Sequence, residues 1–317
     1  MFQEIIKLIE KHDSIVIFGH INPDGDCYGS QVALKRGLSL KYPNKKIYIT
    51  GSGVKSFFDF LMPMDIVPDE VFKHSLAILV DGNDCSRMED QRVNDCVAFC
   101  KIDHHVDTGT FVQGPSVVDE TANSTCDVLT GIFIEGDYPV DKIVANALYL
   151  GIVTDSGRFQ FVTNYAMTFD RAAFLCQNGA NPKAINDILN SVNESSLISK
   201  GFVFTHYKKS KEGTLYIIFT KEDLRKIGIS ANQASGLVNS LSNVKGYPVW
   251  ASFAEYEDGN VRVELRSNGP AVQPIAVKIG GGGHMYAAGA ALAKLNITQV
   301  NQVIDMLDKA ITEWRKK

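Results

Sequence analysis

The chain has 317 residues, of which 45% are hydrophobic and 21% carry a charge, as is typical of a folded protein with a substantial core. A chain of this length is expected to form two domains. Its formal net charge of −4 argues against a protein that wraps long duplex DNA, and no stretch stays apolar for long enough to cross a membrane.

The N-terminal segment and the cysteines indicate where the protein works. Residues 1–13 are predicted to form a short amphipathic helix and not a signal peptide. The six cysteines are scattered, and Cys96 and Cys100 flank an apolar run with a spacing unlike that of zinc ligands, so free buried thiols are predicted. A reducing cytoplasm is therefore the expected location.

The first half of the chain alternates apolar runs with helical patterns. Buried strands are predicted at 14–19, 45–50, 76–81 and 96–103. Both faces of these runs are apolar, which indicates a parallel sheet covered by helices on each side. Helical spacing occurs at 28–42, 124–136, 139–155, 164–179 and 181–192. Residues 1–192 are therefore predicted to form an α/β domain of the doubly wound type.

The second half is predicted to form a smaller α/β domain over residues 212–317, after a polar segment at 193–211 that is expected to be a linking helix or a linker. Its predicted elements are a strand at 214–220, a helix at 231–244, strands at 248–258 and 260–269, and an amphipathic helix at 297–317. The sequence from Glu257 to Asn260 is typical of a hairpin turn, so the two strands that flank it are expected to pair.

Histidines and aspartates follow the ends of several apolar elements in the first half. They are His20, Asp24 and Asp26 after the first strand, Asp81 after the third, Asp103, His104 and His105 after the fourth, and Asp155 at the end of a helix. Ligands bind at the carboxyl edge of a parallel sheet, so these groups are expected to meet there. Each motif alone is weak, because an aspartate at a strand end is often a turn residue or a helix cap. Their joint occurrence indicates a metal site.

The donor types constrain the metal. Clustered buried carboxylates are costly unless a cation neutralises them. Aspartate and imidazole donors without a thiolate favour manganese or magnesium, with iron or cobalt as further candidates and zinc less suited. Two histidines and four or five aspartates exceed what one ion needs, which indicates two metals that share a bridging aspartate. Such a site can activate water and stabilise displacement at phosphorus.

A glycine run near residue 280 is a candidate phosphate-binding segment. The residues concerned are Gly281, Gly282, Gly283 and His284. Glycines let the backbone approach a phosphate and expose amide donors, most effectively where a helix begins next, and the histidine adds a further donor. The alternative is a flexible loop without a ligand.

Two arginines precede the glycine run. Arg262 and Arg266 are four residues apart on a predicted strand and therefore lie on the same face. Two guanidinium groups on one face can hold phosphates through paired hydrogen bonds, and the alternative is a solvated strand face. Arg158, close to Asp155, is a further candidate for contact with a substrate.

The motifs together resemble those of a known family. The segments "HINPDGDCYGS", "LVDGND", "IDHH" and "GIVTDSGRFQF" are similar to the four signature motifs of the DHH phosphoesterase superfamily, and "GGGGHMYAAGA" resembles the glycine-rich motif of its DHHA1 domain. The resemblance covers nearly the whole chain. The two-domain length without added modules most resembles the bacterial bifunctional oligoribonucleases and pAp phosphatases, where pAp is 3′-phosphoadenosine 5′-phosphate.

The resemblance implies roles for individual residues. It makes His20, Asp24 and Asp81 ligands of one metal, and Asp26, Asp81, His104 and Asp155 ligands of the second, with Asp81 as the bridge. It places His105 at the scissile phosphate as a hydrogen-bond donor or leaving-group acid, and Asp103 behind the histidine pair as an orienting group. Arg262, Arg266 and the glycine motif with His284 would bind the terminal phosphate and the nucleotides of a short substrate.

The expected activity is metal-dependent hydrolysis of short oligoribonucleotides to mononucleotides and of pAp to AMP. Two Mn²⁺ ions are the expected cofactor, with Mg²⁺ or Co²⁺ as substitutes, and a homodimer would follow from the resemblance alone. A metal site in one domain and a phosphate-binding site in the other favour short substrates over long polymers. The alternatives are a linear or cyclic dinucleotide phosphodiesterase, a RecJ-like exonuclease, a family II pyrophosphatase and a non-catalytic nucleotide-binding sensor.

Overall fold

The structure, a computed structural model, describes residues 2–111 and 113–316. Its chain divides into two compact units, residues 1–191 and 192–317. Met1, at the start of the predicted N-terminal helix, lies outside the described residues. None of the helices in the described part of the chain combines the length and the apolar character that a membrane span requires.

The first unit is built around a parallel sheet. Its strands are β1 (Ser14–Phe18), β2 (Lys46–Thr50), β3 (Leu76–Val80), β4 (Ala98–Asp103) and β5 (Ser116–Val118), in the order β2-β1-β3-β4-β5. All four pairings are parallel, so the predicted parallel sheet is confirmed. The sequence analysis missed β5 because its three residues are only half-buried and carry no apolar run.

Helices flank this sheet. They are α1 (Phe2–Lys11), α2 (Gly25–Lys41), α3 (Asp69–Phe72), α4 (Thr125–Glu135), α5 (Lys142–Asp155), α6 (Tyr165–Gln177) and α7 (Pro182–Asn190). Residues from β1, β3, α2, α4 and α5 form the main hydrophobic core, which confirms the α/β class. Three-residue to five-residue 3₁₀ turns occupy Lys55–Phe57, Cys85–Arg87 and Gln91–Asp95.

Close packing of α2 against α4 and α5 depends on glycine. A Cβ atom at Gly29 of α2 would overlap the Ala147 carbonyl oxygen of α5. A Cβ atom at Gly151 would lie 2.5 Å from Asp26 Oδ1. Because glycine carries no side chain, the helices approach closely, and the carboxylate of Asp26 fits between them.

The second unit is built around a mixed sheet. Its strands are β6 (Lys208–Lys209), β7 (Thr214–Phe219), β8 (Val249–Glu255), β9 (Val261–Ser267), β10 (Gly282–His284) and β11 (Ala287–Leu292), in the order β10-β11-β9-β8-β7-β6. Only β7 and β8 pair in parallel, and β8 and β9 form the predicted antiparallel hairpin. Its helices are α8 (Glu194–His206), α9 (Lys221–Ile227), α10 (Ala231–Gly236), α11 (Gln273–Lys278) and α12 (Ile297–Trp314).

Two segments differ in detail from the sequence analysis. The helix expected over 231–244 is α10 followed by a 3₁₀ turn at Leu237–Leu241. The segment 193–211, expected to be a linking helix or a linker, contains the helix α8 and also β6, and Phe202 and Val203 of α8 belong to a hydrophobic cluster of the second unit. All six cysteines are free thiols, and Cys96 and Cys100 are buried, as predicted.

Candidate metal centre

The first donors lie where β1 ends and α2 begins. Asp24 is the N-cap of α2, and its Oδ1 accepts hydrogen bonds from the amides of Asp26 and Cys27, both at 3.0 Å. The Nδ1–H group of His20 donates to the Ile21 carbonyl oxygen, 3.0 Å away, which leaves Nε2 for a ligand. That Nε2 lies 3.9 Å from Asp24 Oδ1 and 3.3 Å from Asp81 Oδ2.

Asp26 is completely buried beneath the site. Its Oδ2 accepts from the amide of Thr125 at 2.7 Å and its Oδ1 from the amide of Cys126 at 2.8 Å, so it caps the start of α4. Burial, together with the nearby charges of Asp81 and Asp155, raises the pKa of Asp26 well above its ordinary value. A cation at this position would relieve that repulsion.

Asp81 is at the centre of the cluster. It directly follows β3 and has φ of 58°, a left-handed conformation that aspartate tolerates better than most residues. Its carboxylate faces three imidazoles: His20 at 3.3 Å, His104 at 3.6 Å and His105 at 3.5 Å. Burial alone would raise the pKa of Asp81, but the hydrogen bond with His20 and the charges of the other histidines outweigh burial and lower it.

The end of β4 supplies a histidine pair held by Asp103. The buried Oδ1 of Asp103 accepts from the amides of His104 and His105, at 2.8 and 3.2 Å, and lies 2.9 Å from His105 Nδ1. This bond raises the pKa of His105 and leaves its Nε2 as the free ring nitrogen. Asp103 Oδ2 is buried and has no hydrogen-bond partner among residues 2–111 and 113–316.

Asp155, the last residue of α5, completes the group. Its Oδ2 lies 3.2 Å from His104 Nε2, which in turn lies 4.0 Å from Asp26 Oδ2. Burial is the main reason that the pKa of Asp155 rises to about 6, and the charges of Asp81 and Asp24 act in the same direction.

The hydrogen bond to Asp81 raises the pKa of His20 to about 11.

These residues fit divalent cations. Three groups of donor atoms lie within 4.8 Å of one another: His20, Cys27 and Asp81; Asp81, His104 and His105; and Asp26, His104 and Asp155. Asp81 belongs to two of these groups, as a bridging carboxylate would. Together with Asp24, these groups supply four carboxylates and three imidazoles, whose oxygen and nitrogen donors suit Mn²⁺, Mg²⁺ or Co²⁺.

The sequence analysis overlooked the thiol of Cys27. It accepts a hydrogen bond of 3.2 Å from the His20 amide and is buried beside His20 and Asp81. Burial raises its pKa to about 11. The expected donor set contained no thiolate, and the adjacency of Cys27 to Asp26 in the sequence was the available signal.

A cavity of about 610 Å³ opens over the cluster. Among the residues that line it are the predicted His20, Asp24, Asp81, His105 and Asp155, together with four that the sequence analysis did not single out, Asn83, Asp84, Arg87 and Thr110. The Oδ1 of Asn83 is buried without a hydrogen-bond partner among the described residues. Thr125, also missed, lies below the cavity and bonds both Asp26 and Asp81.

Arg262 and Arg266 line a separate cavity of about 460 Å³ in the second unit. They lie on one face of β9, as predicted, but the buried Glu264 stands between them. Its Oε1 lies 2.6 Å from Arg262 Nε and its Oε2 lies 3.0 Å from Arg266 Nη2. The sequence "VRVELRS" shows Glu264 on the same face, because it is two residues from each arginine.

The glycine run borders the same cavity through Gly282 and Gly283. A strand and not a helix follows the run: α11 ends before it, and the run continues into β10 and pairs with β11. Gly281 lies against the β11 backbone, and His284 is exposed and pairs with Ala287. Neither Gly281 nor His284 lines the cavity.

Arg158 is exposed and has a left-handed backbone, with φ of 61°. It does not line the cavity over the acidic cluster, although Asp155 does. The structure therefore brings together the metal-ligand candidates of the first unit and leaves Arg158 at the periphery.

Comparison with known proteins decides the family. Residues 14–152 match the N-terminal domain of the DHH family, and residues 213–313 match the DHHA1 domain. The chain is 34% identical to the bifunctional oligoribonuclease and PAP phosphatase NrnA of Mycoplasma genitalium, over 97% of both chains. The chain belongs to the DHH family.

Further relatives agree with this membership. The chain is also 34% identical to the protein of the same name from Bacillus subtilis, over 92% of this chain and 93% of that one. A crystal structure of an exopolyphosphatase-related protein from Bacteroides fragilis covers 98% of this chain and 95% of its own, with a TM-score of 0.81 at 22% identity. That similarity establishes the shared fold, and the resemblance drawn from the motifs is confirmed.

Proposed function

We propose that the protein hydrolyses short oligoribonucleotides to mononucleotides and pAp to AMP, with Mn²⁺ as the cofactor. The observation that carries this proposal is the position of Asp81, whose carboxylate is shared by two groups of donor atoms. The names of the relatives from M. genitalium and B. subtilis supply the substrate class. Six free thiols suit a protein of the reducing cytoplasm.

The proposed ligands are those that the family resemblance implies, and they overlap with the donor groups in part: His20 and Asp81 share one group, and Asp26, His104 and Asp155 form another. His20, Asp24 and Asp81 would hold one cation, and Asp26, Asp81, His104 and Asp155 would hold the second. When bound, the two cations supply Lewis acidity toward a phosphate oxygen and lower the pKa of water. The chain itself contributes rigidity, since α4 fixes Asp26 and the β3 terminus fixes Asp81.

His105 is proposed to act on the substrate. Its Nδ1 is held by Asp103, so its free Nε2 can carry a proton to donate to a phosphate oxygen or to the leaving group. The hydrogen bond that its ring donates to Asp103 raises the pKa of His105, which favours the protonated ring. Asp103 would thus act as a positioning residue, through bonds to two backbone amides and one ring.

The second unit is proposed to bind the substrate, with residues 1–192 as the catalytic domain and 212–317 as the substrate-binding domain. Arg266 would be the main phosphate ligand, with Arg262, the glycines of the run, His284 and Arg158 as further contacts. Glu264 offsets part of the arginine charge and keeps both guanidinium groups in place through ion pairs.

The first experiment is an assay of the purified protein with Mn²⁺. It compares pAp, 5′-phosphorylated RNAs of two to five nucleotides, a long RNA, a cyclic dinucleotide and pyrophosphate. Turnover of pAp and the shortest RNAs that disappears with a chelator is expected. Preference for the cyclic dinucleotide or the long RNA would overturn the substrate assignment, and no turnover of any phosphate ester would favour the nucleotide-binding sensor.

A matched variant tests the metal assignment. Asn also tolerates the left-handed backbone of residue 81, so Asp81→Asn removes the charge without a new backbone strain. We expect loss of hydrolysis and loss of the rise in melting temperature that Mn²⁺ causes in the wild type, with retained circular dichroism. Turnover close to wild type would contradict the bridging role.

A further inference from the structure

Among the described residues that line the cavity over the acidic cluster, Arg87 is the only arginine or lysine. Four carboxylates, those of Asp24, Asp81, Asp84 and Asp155, line the same cavity. Within residues 2–111 and 113–316, the guanidinium group of Arg87 nevertheless forms no ion pair or hydrogen bond with any of them. An arginine beside so many carboxylates that pairs with none is free to bind an anion from solution.

Asp84, the nearby carboxylate that could form an ion pair with Arg87, already accepts three hydrogen bonds from other groups. Asp84 Oδ1 accepts from the amide and the hydroxyl of Ser86, at 2.8 and 2.5 Å, and its Oδ2 accepts from Thr110 Oγ1 at 3.1 Å. These bonds lower the pKa of Asp84 and hold its carboxylate at the start of the 3₁₀ turn. The turn therefore orders the backbone without using the side chain of Arg87.

The backbone of Arg87 is joined to the segment that carries His20. The Arg87 carbonyl oxygen accepts from the Ile21 amide at 3.0 Å, and the next residue, Met88, forms an isolated β-bridge with His20. The Glu89 amide donates to the Gly19 carbonyl oxygen at 2.9 Å. Because these two hydrogen bonds, which form the bridge, tie the segments together, binding an anion would order only the side chain of Arg87.

We propose that Arg87 binds non-bridging oxygens of the phosphate group that occupies the cavity over the acidic cluster. A guanidinium group presents a planar set of donors that matches a phosphate, and a fixed positive charge counters the repulsion between a phosphate and the surrounding aspartates. This inference rests on the proposed function for the identity of the substrate. Its own content is a phosphate ligand in the first unit, separate from Arg262 and Arg266.

The test measures binding of inorganic phosphate to the full-length Mn²⁺-loaded protein by titration calorimetry. We expect Arg87→Ala to weaken phosphate binding about tenfold or more, since a hydrogen bond to a charged group contributes on that order. Arg87→Lys keeps the charge but loses the planar guanidinium group, so its phosphate affinity should lie between those of Arg87→Ala and the wild type. Arg225→Ala, at an exposed arginine that pairs with Glu257 in the second unit, is the matched control and should bind as the wild type does.

Two further measurements distinguish a loss of phosphate binding from damage to the metal site, and test the role of Arg87 apart from the proposed function. The Mn²⁺-induced rise in melting temperature should be unchanged in Arg87→Ala, and KM for pAp and for a dinucleotide should rise by similar factors. Phosphate affinity within twofold of wild type, or a loss of Mn²⁺ binding as large as the loss of phosphate binding, would overturn the role of Arg87. Absence of hydrolysis by the wild type would overturn the proposed function, while the phosphate titration would still decide the role of Arg87.

Discussion

The hydroxyl of Thr125 donates a hydrogen bond of 3.1 Å to Asp81 Oδ1, and the amide of the same residue donates one of 2.7 Å to Asp26 Oδ2. Thr125 is the first residue of α4, where the unpaired amides and the helix dipole favour negative charge. One residue thus orients two of the proposed metal ligands, although 44 residues separate it from Asp81 and 99 from Asp26.

Thr125→Val should weaken divalent-cation binding because it removes the hydroxyl and keeps both the shape and the amide. Loss of a hydrogen bond to a metal ligand typically lowers affinity on the order of 10-fold to 100-fold. Thr125→Ser keeps the hydroxyl and should bind Mn²⁺ nearly as the wild type does. Calorimetric titration measures the Mn²⁺ affinity of both variants, and equal affinities would show that the hydroxyl does not contribute to metal binding.

Arg266→Ala should chiefly raise KM for short substrates, because the proposed role of Arg266 is binding and not the chemical step. We expect about a tenfold rise, the value of one charge-assisted hydrogen bond. The buried Glu264 keeps its ion pair with Arg262, so the fold should persist. Steady-state kinetics with pAp and a dinucleotide measure the effect, with Arg225→Ala as control. A fall in kcat at constant KM would be inconsistent with this role.

Gly281→Ala should destabilise the second unit, because a Cβ atom at this position would overlap the Gly289 carbonyl oxygen of β11. Forcing a methyl group into such a contact costs about 1–3 kcal/mol. Gly282→Ala is the matched control, since its Cβ would meet no atom within 4 Å. Urea denaturation gives the free energy of unfolding of both variants. Equal free energies of unfolding would mean that β10 and β11 can move apart slightly without a loss of stability.

Asp90 is expected to make the stability of the first unit depend on pH. Burial would raise its pKa, but hydrogen bonds from Arg92 and Thr50 outweigh burial and lower it. A carboxyl group whose folded-state pKa lies below its unfolded value stabilises the fold above the unfolded pKa, near 4, and this contribution is lost as the pH falls through the folded pKa.

Asp90→Asn should therefore lower the free energy of unfolding at pH 7 by about 1–3 kcal/mol, the range for a hydrogen bond to a charged group. The difference from wild type should shrink as the pH falls below the unfolded pKa. Denaturation across this pH range measures the difference in the free energy of unfolding. Asp59→Asn, which makes the same charge change at an exposed position, is the control. A difference that is independent of pH would contradict the role of the ion pair.

Much of the fold follows from local patterns. The strands β1 and β3 are almost entirely apolar and are buried on both faces, so their positions and their parallel arrangement could be predicted from period and composition alone. Where the local signal is weak, the prediction failed. Strand β5 has three half-buried residues, and β10 is made of glycines and a histidine, which favour loops when isolated.

The sequence by itself determined the α/β class, the membership of the DHH family and the candidate donors at the strand ends, because each depends on residues close together in the chain. The tertiary structure alone decided which groups meet across long separations. It brings Thr125 to Asp26 and Asp81, places Cys27 beside His20 and inserts Glu264 between two arginines. It also leaves the Arg87 side chain, in an acidic cavity, without an ion-pair partner among the residues that the structure describes. These contacts arise from the packing of helices on the sheet, which no local periodicity encodes.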